Sequence, residues 1–229
     1  MYIDTYYIIF VLPAILLTIY AQARVHSTFN KYLKVRNLRG MTGAEAARII
    51  LQNQGIYDVT IERIPGNLTD HYDPRTKTLR LSGPVYDGTS IASVGVAAHE
   101  AGHAIQHNES YSFLKVRHSI FPVVSISSRM AIPLIMLGFV LSFSFLVELG
   151  IILFCAVVFF QIITLPVEFN ASKRALVALE GQGILSDNEI RPARKVLSAA
   201  ALTYVAAAAV AVANLLRLIL LANGGRRRR

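Results

Sequence analysis

His99, Glu100 and His103 form a His-Glu-x-x-His pattern inside an uninterrupted helix-forming run, Ile91 to Gln106. Residues four apart project from one face of an α-helix, so both imidazoles can reach a single zinc ion at about 2.0–2.1 Å. Glu100 follows the first imidazole by about a quarter turn. Its carboxylate is then placed to take a proton from a zinc-activated water attacking a carbonyl, the chemistry of peptide-bond hydrolysis with Glu100 as general base. Ala101 and Gly102 are small and let another backbone or a substrate come close. The competing explanation is a chance pattern on an ordinary amphipathic helix. Against it, Val94, Val96, Ala97 and Ala98 make the preceding turns apolar, and two histidines and a glutamate at buried depth need partners or a metal.

A hydrolytic zinc takes three protein ligands and keeps one position open. The extended three-histidine motif would place a glycine at 106 and a histidine at 109, where this chain has Gln106 and Glu109. A glutamate from a later helix must serve instead. Glu109 is too near on the same helix, Glu148 is expected across a membrane, and Glu180 and Glu189 fall in a capped, soluble-looking stretch and are expected to be solvated. Glu168 remains, just after Pro166; its alternative role is an interfacial carboxylate at a helix end.

Four apolar segments organise the rest, each near the roughly 20 residues a bilayer-crossing helix needs: about 3–23, 130–147, 150–167 and 199–222. The middle two are separated only by Glu148 and Leu149 and are expected to form a hairpin turning there, which returns Glu168 to the side that carries His99. The expected fold is therefore an α-helical integral membrane protein with three to four transmembrane helices and a small α+β zinc peptidase domain. Its parts are a transmembrane helix over 1–23, a cytoplasmic α+β part over 24–129, the hairpin over 130–167, a helical part with the third ligand over 168–198, a membrane-embedded helix over 199–222 and a basic tail over 223–229. Within the α+β part, Thr42 and Glu45 form a capping box for a helix over about 43–54 stopped by Gly55. Val59, Ile61 and Ile64 suggest a strand, 67–75 is turn-rich, and Thr78-Leu79-Arg80-Leu81 alternates as a second strand. Ser186 and Glu189 form another capping box, opening the helix that feeds the last apolar run.

Hydrophobic residues make up 54% and charged residues 16% of the 229, which leans away from a soluble globule. The net charge of +9 lies largely in Arg24–Arg39 and Arg226–Arg229. Basic residues flanking apolar runs act as topology signals and contacts to anionic headgroups, so the partners expected are the lipid bilayer and protein, and no nucleic acid. The first apolar run lacks a basic leader and a clear cleavage site, and reads as a retained helix rather than a signal peptide. The positive-inside tendency places the large loop in the cytoplasm, although a full fourth crossing would then carry the basic tail outside. Cys155 stands alone in an apolar stretch and reads as a small hydrophobe.

The segments His99–Gln106 (HEAGHAIQ) and Leu165–Leu176 (LPVEFNASKRAL), with a hairpin between them, resemble a bacterial family of membrane-bound neutral zinc metallopeptidases. Asp70-His71-Tyr72-Asp73-Pro74 and Val94–Ala98 share the likeness, which spans essentially the whole chain. The resemblance implies one zinc held by His99, His103 and Glu168, with Glu100 catalytic, in a bacterial plasma membrane and acting on membrane-associated protein. It is similar in turn to membrane gluzincins, most of which carry an aspartate four residues after the ligand glutamate; Ser172 stands there, and its hydroxyl could support a ligand. Gluzincins generally hold extended substrate on an edge strand before the His-Glu-x-x-His helix, which Thr78, Leu79, Arg80 and Leu81 would match; an ordinary edge strand is the alternative. His71 and Tyr72 are candidate donors to the oxyanion, or structural turn residues, and His107 is a surface or supporting residue. A site-2-type intramembrane protease would need an aspartate that the hairpin lacks. A catalytically idle scaffold with structural zinc would need a fourth ligand, and a transporter would need paired intramembrane charges where only Arg217 is evident.

Overall fold

A computed structural model describes residues 4–226, with side chains through 224; Arg227, Arg228 and Arg229 of the expected basic tail lie outside them. Among the described residues the backbone runs through a π-helical turn Tyr7–Val11, α1 Leu12–Leu33, α2 Gly43–Asn53, β1 Thr60–Ile64, β2 His71–Asp73, β3 Thr78–Ser82, α3 Gly83–Tyr86, α4 Ile91–Asn108, α5 Ser112–Val140, α6 Ser144–Gly181 and α7 Asp187–Arg226. The helices over Tyr7–Leu33, Ser112–Val140, Ser144–Gly181 and Asp187–Gly224 are each long and apolar enough to cross a membrane. The protein is a helical membrane protein with a small α+β part.

The chain divides into two compact units. The first comprises Met1–Ala21, Lys115–Pro166 and Thr203–Arg229. Its hairpin does not turn at Glu148, as hydropathy suggests, but at Leu141–Phe143, and Glu148 lies inside α6. Ser142 takes a left-handed φ of 54°, and the Phe143 N–H donates to Gly138 O at 2.8 Å. The backbone reversal follows that turn geometry rather than the nearest charge. Gly150 lets the two helices close: a Cβ there would stand 2.8 Å from Ala131 O. In the same unit Val11 and Ala14 pack with Ala213, and Arg217 meets Asp4 in an ion pair of 2.6 Å. The basic residue that looks unpaired in sequence thus has a carboxylate at the other end of the chain.

The second unit comprises Gln22–Leu114 and Val167–Leu202. Thr42 and Glu45 cap α2 reciprocally: Glu45 N–H donates to Thr42 Oγ1 at 3.2 Å and Thr42 N–H to Glu45 Oε2 at 2.8 Å. Its buried face, Ala46, Ala47, Ile50 and Leu51, packs with Leu79, Leu81, Val94, Ala97 and Ala98 into one core; each large aliphatic side chain so buried contributes about 1.5–3 kcal/mol.

Two expectations about the sheet change. The 67–75 segment is not turn alone, because His71–Asp73 forms β2. Thr78, Leu79, Arg80 and Leu81 are not on an edge strand: the strand order is β1-β3-β2, with β1 parallel and β2 antiparallel to β3. Over Thr78–Arg80 both backbone edges of β3 are engaged, so no substrate strand can add there. Glu189 is likewise not solvated. It is buried, accepting from Ser186 N–H at 2.9 Å and Ser186 Oγ–H at 2.8 Å with one oxygen and from Leu38 N–H at 2.8 Å with the other. The capping box expected at Ser186 also ties the segment after α1 to the start of α7.

Candidate metal centre

Ser90 caps α4, its hydroxyl accepting from Ser93 N–H at 3.0 Å, and Ile91, Ala92, Val94, Ala97 and Ala98 in the turns that follow are buried. The helix therefore enters the core before it reaches His99, and the two rings emerge only partly exposed on one face. Their centroids are 4.8 Å apart and their planes nearly perpendicular. Facing them is α6, which approaches closely because residue 102 is glycine: a Cβ at that position would stand 2.7 Å from Ala171 O.

That approach brings Glu168, buried on α6, to the rings. Its Oε2 is 3.3 Å from His99 Nε2 and 3.5 Å from His103 Nε2, and one donor atom from each of the three residues lies within 4.8 Å of the others. Two ligand atoms each about 2.0–2.1 Å from a shared tetrahedral zinc stand roughly 3.3–3.4 Å apart, so the two spacings from Glu168 fit two edges of a zinc tetrahedron. Nitrogen and carboxylate oxygen are also the donor types zinc takes.

The far sides of both rings are held. Ser172 Oγ is 3.1 Å from His99 Nδ1, the position where the resemblance led one to expect an aspartate. His103 Nδ1 is 3.1 Å from Gln106 Oε1. Burial works against a proton on His103, but the neighbouring Glu168 carboxylate more than offsets it and raises the pKa above its ordinary value.

Glu100, one residue from His99, is buried as well. Its charge reaches the Asp70 carboxyl just before β2, which is raised above its ordinary pKa chiefly by burial and further by Glu100. Ser82 fastens Asp70, donating its N–H at 2.7 Å and its hydroxyl at 3.0 Å to Oδ1.

The other candidates fall outside this cluster. His71 is exposed, with Nδ1 2.9 Å from Thr69 O. Tyr72 is half-buried and its hydroxyl lies 2.9 Å from His107 Nδ1, which pins β2 to α4; burial pushes its pKa up to about 12. In β3, Arg80 Nη1 donates to Asp73 Oδ2 at 3.0 Å, and Leu79 and Leu81 are core. Sequence reasoning missed Gln106, Asn170 and Asp70 as contributors. For Gln106 the signal was its spacing, three residues from His103 and so on the same helix face.

The sequence profile of a family described as "Putative neutral zinc metallopeptidase" matches residues 7–223. A relative from Bacillus subtilis (strain 168), "Putative membrane protease YugP", is 53% identical over 221 residues, covering 96% of this chain and 98% of the relative. No solved structure matches the chain.

Proposed function

We propose, for a chain that belongs to the family of neutral zinc metallopeptidases, that it is an integral membrane zinc endopeptidase cleaving membrane-associated or membrane-proximal protein. The observation that carries this reading is the facing of Glu168 Oε2 toward both Nε2 atoms at 3.3 and 3.5 Å. His99, His103 and Glu168 would hold one zinc in a gluzincin-like arrangement. Bound there, zinc supplies Lewis-acid polarisation of a carbonyl and lowers the pKa of a water.

The remaining work falls to the chain's own groups. Glu100 accepts the proton of the attacking water at its carboxylate and delivers it to the departing amide nitrogen, a general-base and then general-acid role. The burial of Glu100 keeps that carboxylate out of bulk water. Ser172 and Gln106 hold the rings of His99 and His103 at their Nδ1 atoms, which keeps both Nε2 atoms aimed inward. Three protein ligands favour hydrolysis over an idle structural site, which takes four. The basic stretch that follows the first apolar run favours an active site facing the cytoplasm, and the Bacillus subtilis relative favours a bacterial plasma membrane.

The test uses purified full-length protein in detergent, an unfolded protein as substrate, and a chelator. Cleavage should cease when zinc is removed and return when it is restored. Glu100→Gln should retain one zinc per chain and lose about 10²–10⁴-fold in rate. Cleavage undiminished by that substitution would refute the assigned role of Glu100; cleavage indifferent to the chelator would refute the zinc peptidase itself.

A further inference from the structure

Behind His103 runs a chain of polar side chains whose donor and acceptor directions are fully determined. Gln106 is completely buried. Its Nε2 donates to Val167 O at 2.8 Å and to Asn170 Oδ1 at 2.9 Å. A backbone carbonyl can only accept, so the amide nitrogen must face Val167, and Oε1 must face His103 Nδ1 at 3.1 Å. Asn170 is oriented by the same logic. Arg174, which can only donate, gives its Nε–H to Asn170 Oδ1 at 2.7 Å, and Arg174 Nη2 is in turn 2.7 Å from Glu109 Oε2.

We infer that Gln106, oriented by Asn170 and Val167, is a positioning residue that sets the His103 tautomer and so readies its Nε2 for metal. An amide oxygen offers no hydrogen, so His103 must carry its proton on Nδ1. In the neutral ring the lone pair is then left on Nε2, the atom that faces Glu168. With the opposite tautomer, Nδ1 would set a lone pair against Gln106 Oε1, and Nε2 would have no lone pair to give. Gln106 cannot flip to accept that arrangement without pushing its oxygen against Val167 O and Asn170 Oδ1. The buried amide therefore selects one tautomer whenever the ring is neutral. Because Asn170 is one turn from Arg174, the selection is anchored at a solvent-reaching ion pair with Glu109, whose carboxylate is half exposed.

This inference rests on the zinc reading, and zinc affinity separates the two. Full-length protein in detergent would be titrated with zinc against a competing chelator, and the ring nitrogens of zinc-free protein labelled at histidine would be read by ¹⁵N NMR at a pH where the His103 ring is neutral. Wild type should show His103 protonated at Nδ1. Gln106→Leu should weaken zinc binding about 10–100-fold, with the His103 nitrogen signals losing that single-tautomer signature. Asn170→Leu should move both readouts in the same direction. Asn170→Asp, which keeps an acceptor toward Gln106 and Arg174, should recover most of what Asn170→Leu loses, and this pair decides the matter if Gln106→Leu does not fold. Tight zinc binding with an unchanged His103 signature in both leucine variants, or an aspartate no better than leucine at 170, would overturn the inference while leaving the zinc site standing. Failure of wild type to bind zinc would overturn the peptidase reading instead.

Discussion

Gly102 on α4 and Ala171 on α6 meet with no room for a side chain: a Cβ at 102 would lie 2.7 Å from the Ala171 carbonyl oxygen. The same contact holds His103 and Glu168, one and three residues away, at zinc-ligand spacing. Gly102→Ala should therefore act twice. Overpacking against a backbone atom costs about 1–3 kcal/mol, and the helices can relieve it only by parting, which pulls Glu168 from the rings. Thermal unfolding in detergent and zinc titration should both register the change. Gly95→Ala on the same helix is the control, because its Cβ would meet nothing nearer than Ala193 Cβ at 3.8 Å. It should be neutral or stabilising, by up to about 1 kcal/mol, since alanine favours helix over glycine. Equal loss in both variants would show that any glycine in α4 matters, and would remove the special role of the 102–171 contact.

The hairpin of β2 and β3 carries its own pH signature. Arg80 donates to Asp73 across the strands, and this hydrogen bond draws the Asp73 pKa down from 3.8 to about 2. A group whose folded pKa is depressed adds stability above its unfolded pKa, and that stability disappears as the pH falls through the folded value. The Asp73 contribution is thus intact at pH 5 and fades between roughly pH 4 and 2. Asp73→Asn should reduce the acid sensitivity of zinc-free protein in that window and leave the profile above pH 5 parallel to wild type. Melts across pH 2–6 would check this; an identical acid slope in the variant would show that the ion pair does not contribute.

What the sequence made legible, and what it hid, divides along a physical line. His99, Glu100 and His103 could be read because helix periodicity converts a spacing of four into a shared face. Glu168 could be placed beside them because a hairpin of two long apolar helices returns the chain to the side it left. The hairpin turn was misplaced because Glu148 is the single charge in a long apolar run, while the real reversal depends on a left-handed Ser142 that composition does not mark. β2 escaped notice because three residues, His71-Tyr72-Asp73, are too short and polar to alternate visibly, and missing it made the central β3 look like an edge. Glu189 looked solvated since a capping glutamate usually is; its second partner, Leu38 N–H, comes from 151 residues away. Long-range polar pairing leaves no local pattern in a sequence.

Asp4 and Arg217 are the longest-range case of such pairing, and they bear on how the first unit holds together. Arg217 donates Nε–H at 2.9 Å and Nη2–H at 2.6 Å to Asp4 Oδ2, and its guanidinium lies 5.2 Å from the Tyr7 ring centroid. The two side chains are only 13% and 17% exposed, so removing one deprives a largely buried charge of this partner, at a cost of up to about 3–5 kcal/mol. Removing both takes away both charges. Asp4→Asn and Arg217→Met should each lower the unfolding midpoint, whereas the double variant should lose much less than the sum of the two. Arg217→Lys should recover only part of the wild-type stability, since lysine lacks the forked donors that reach one carboxylate twice. The pair sits in α7 and ahead of α1, and none of its residues belongs to the metal cluster. Zinc stoichiometry should therefore stay at wild-type level while stability falls. Additive losses in the double-mutant cycle would mean that the two charges do not stabilise each other.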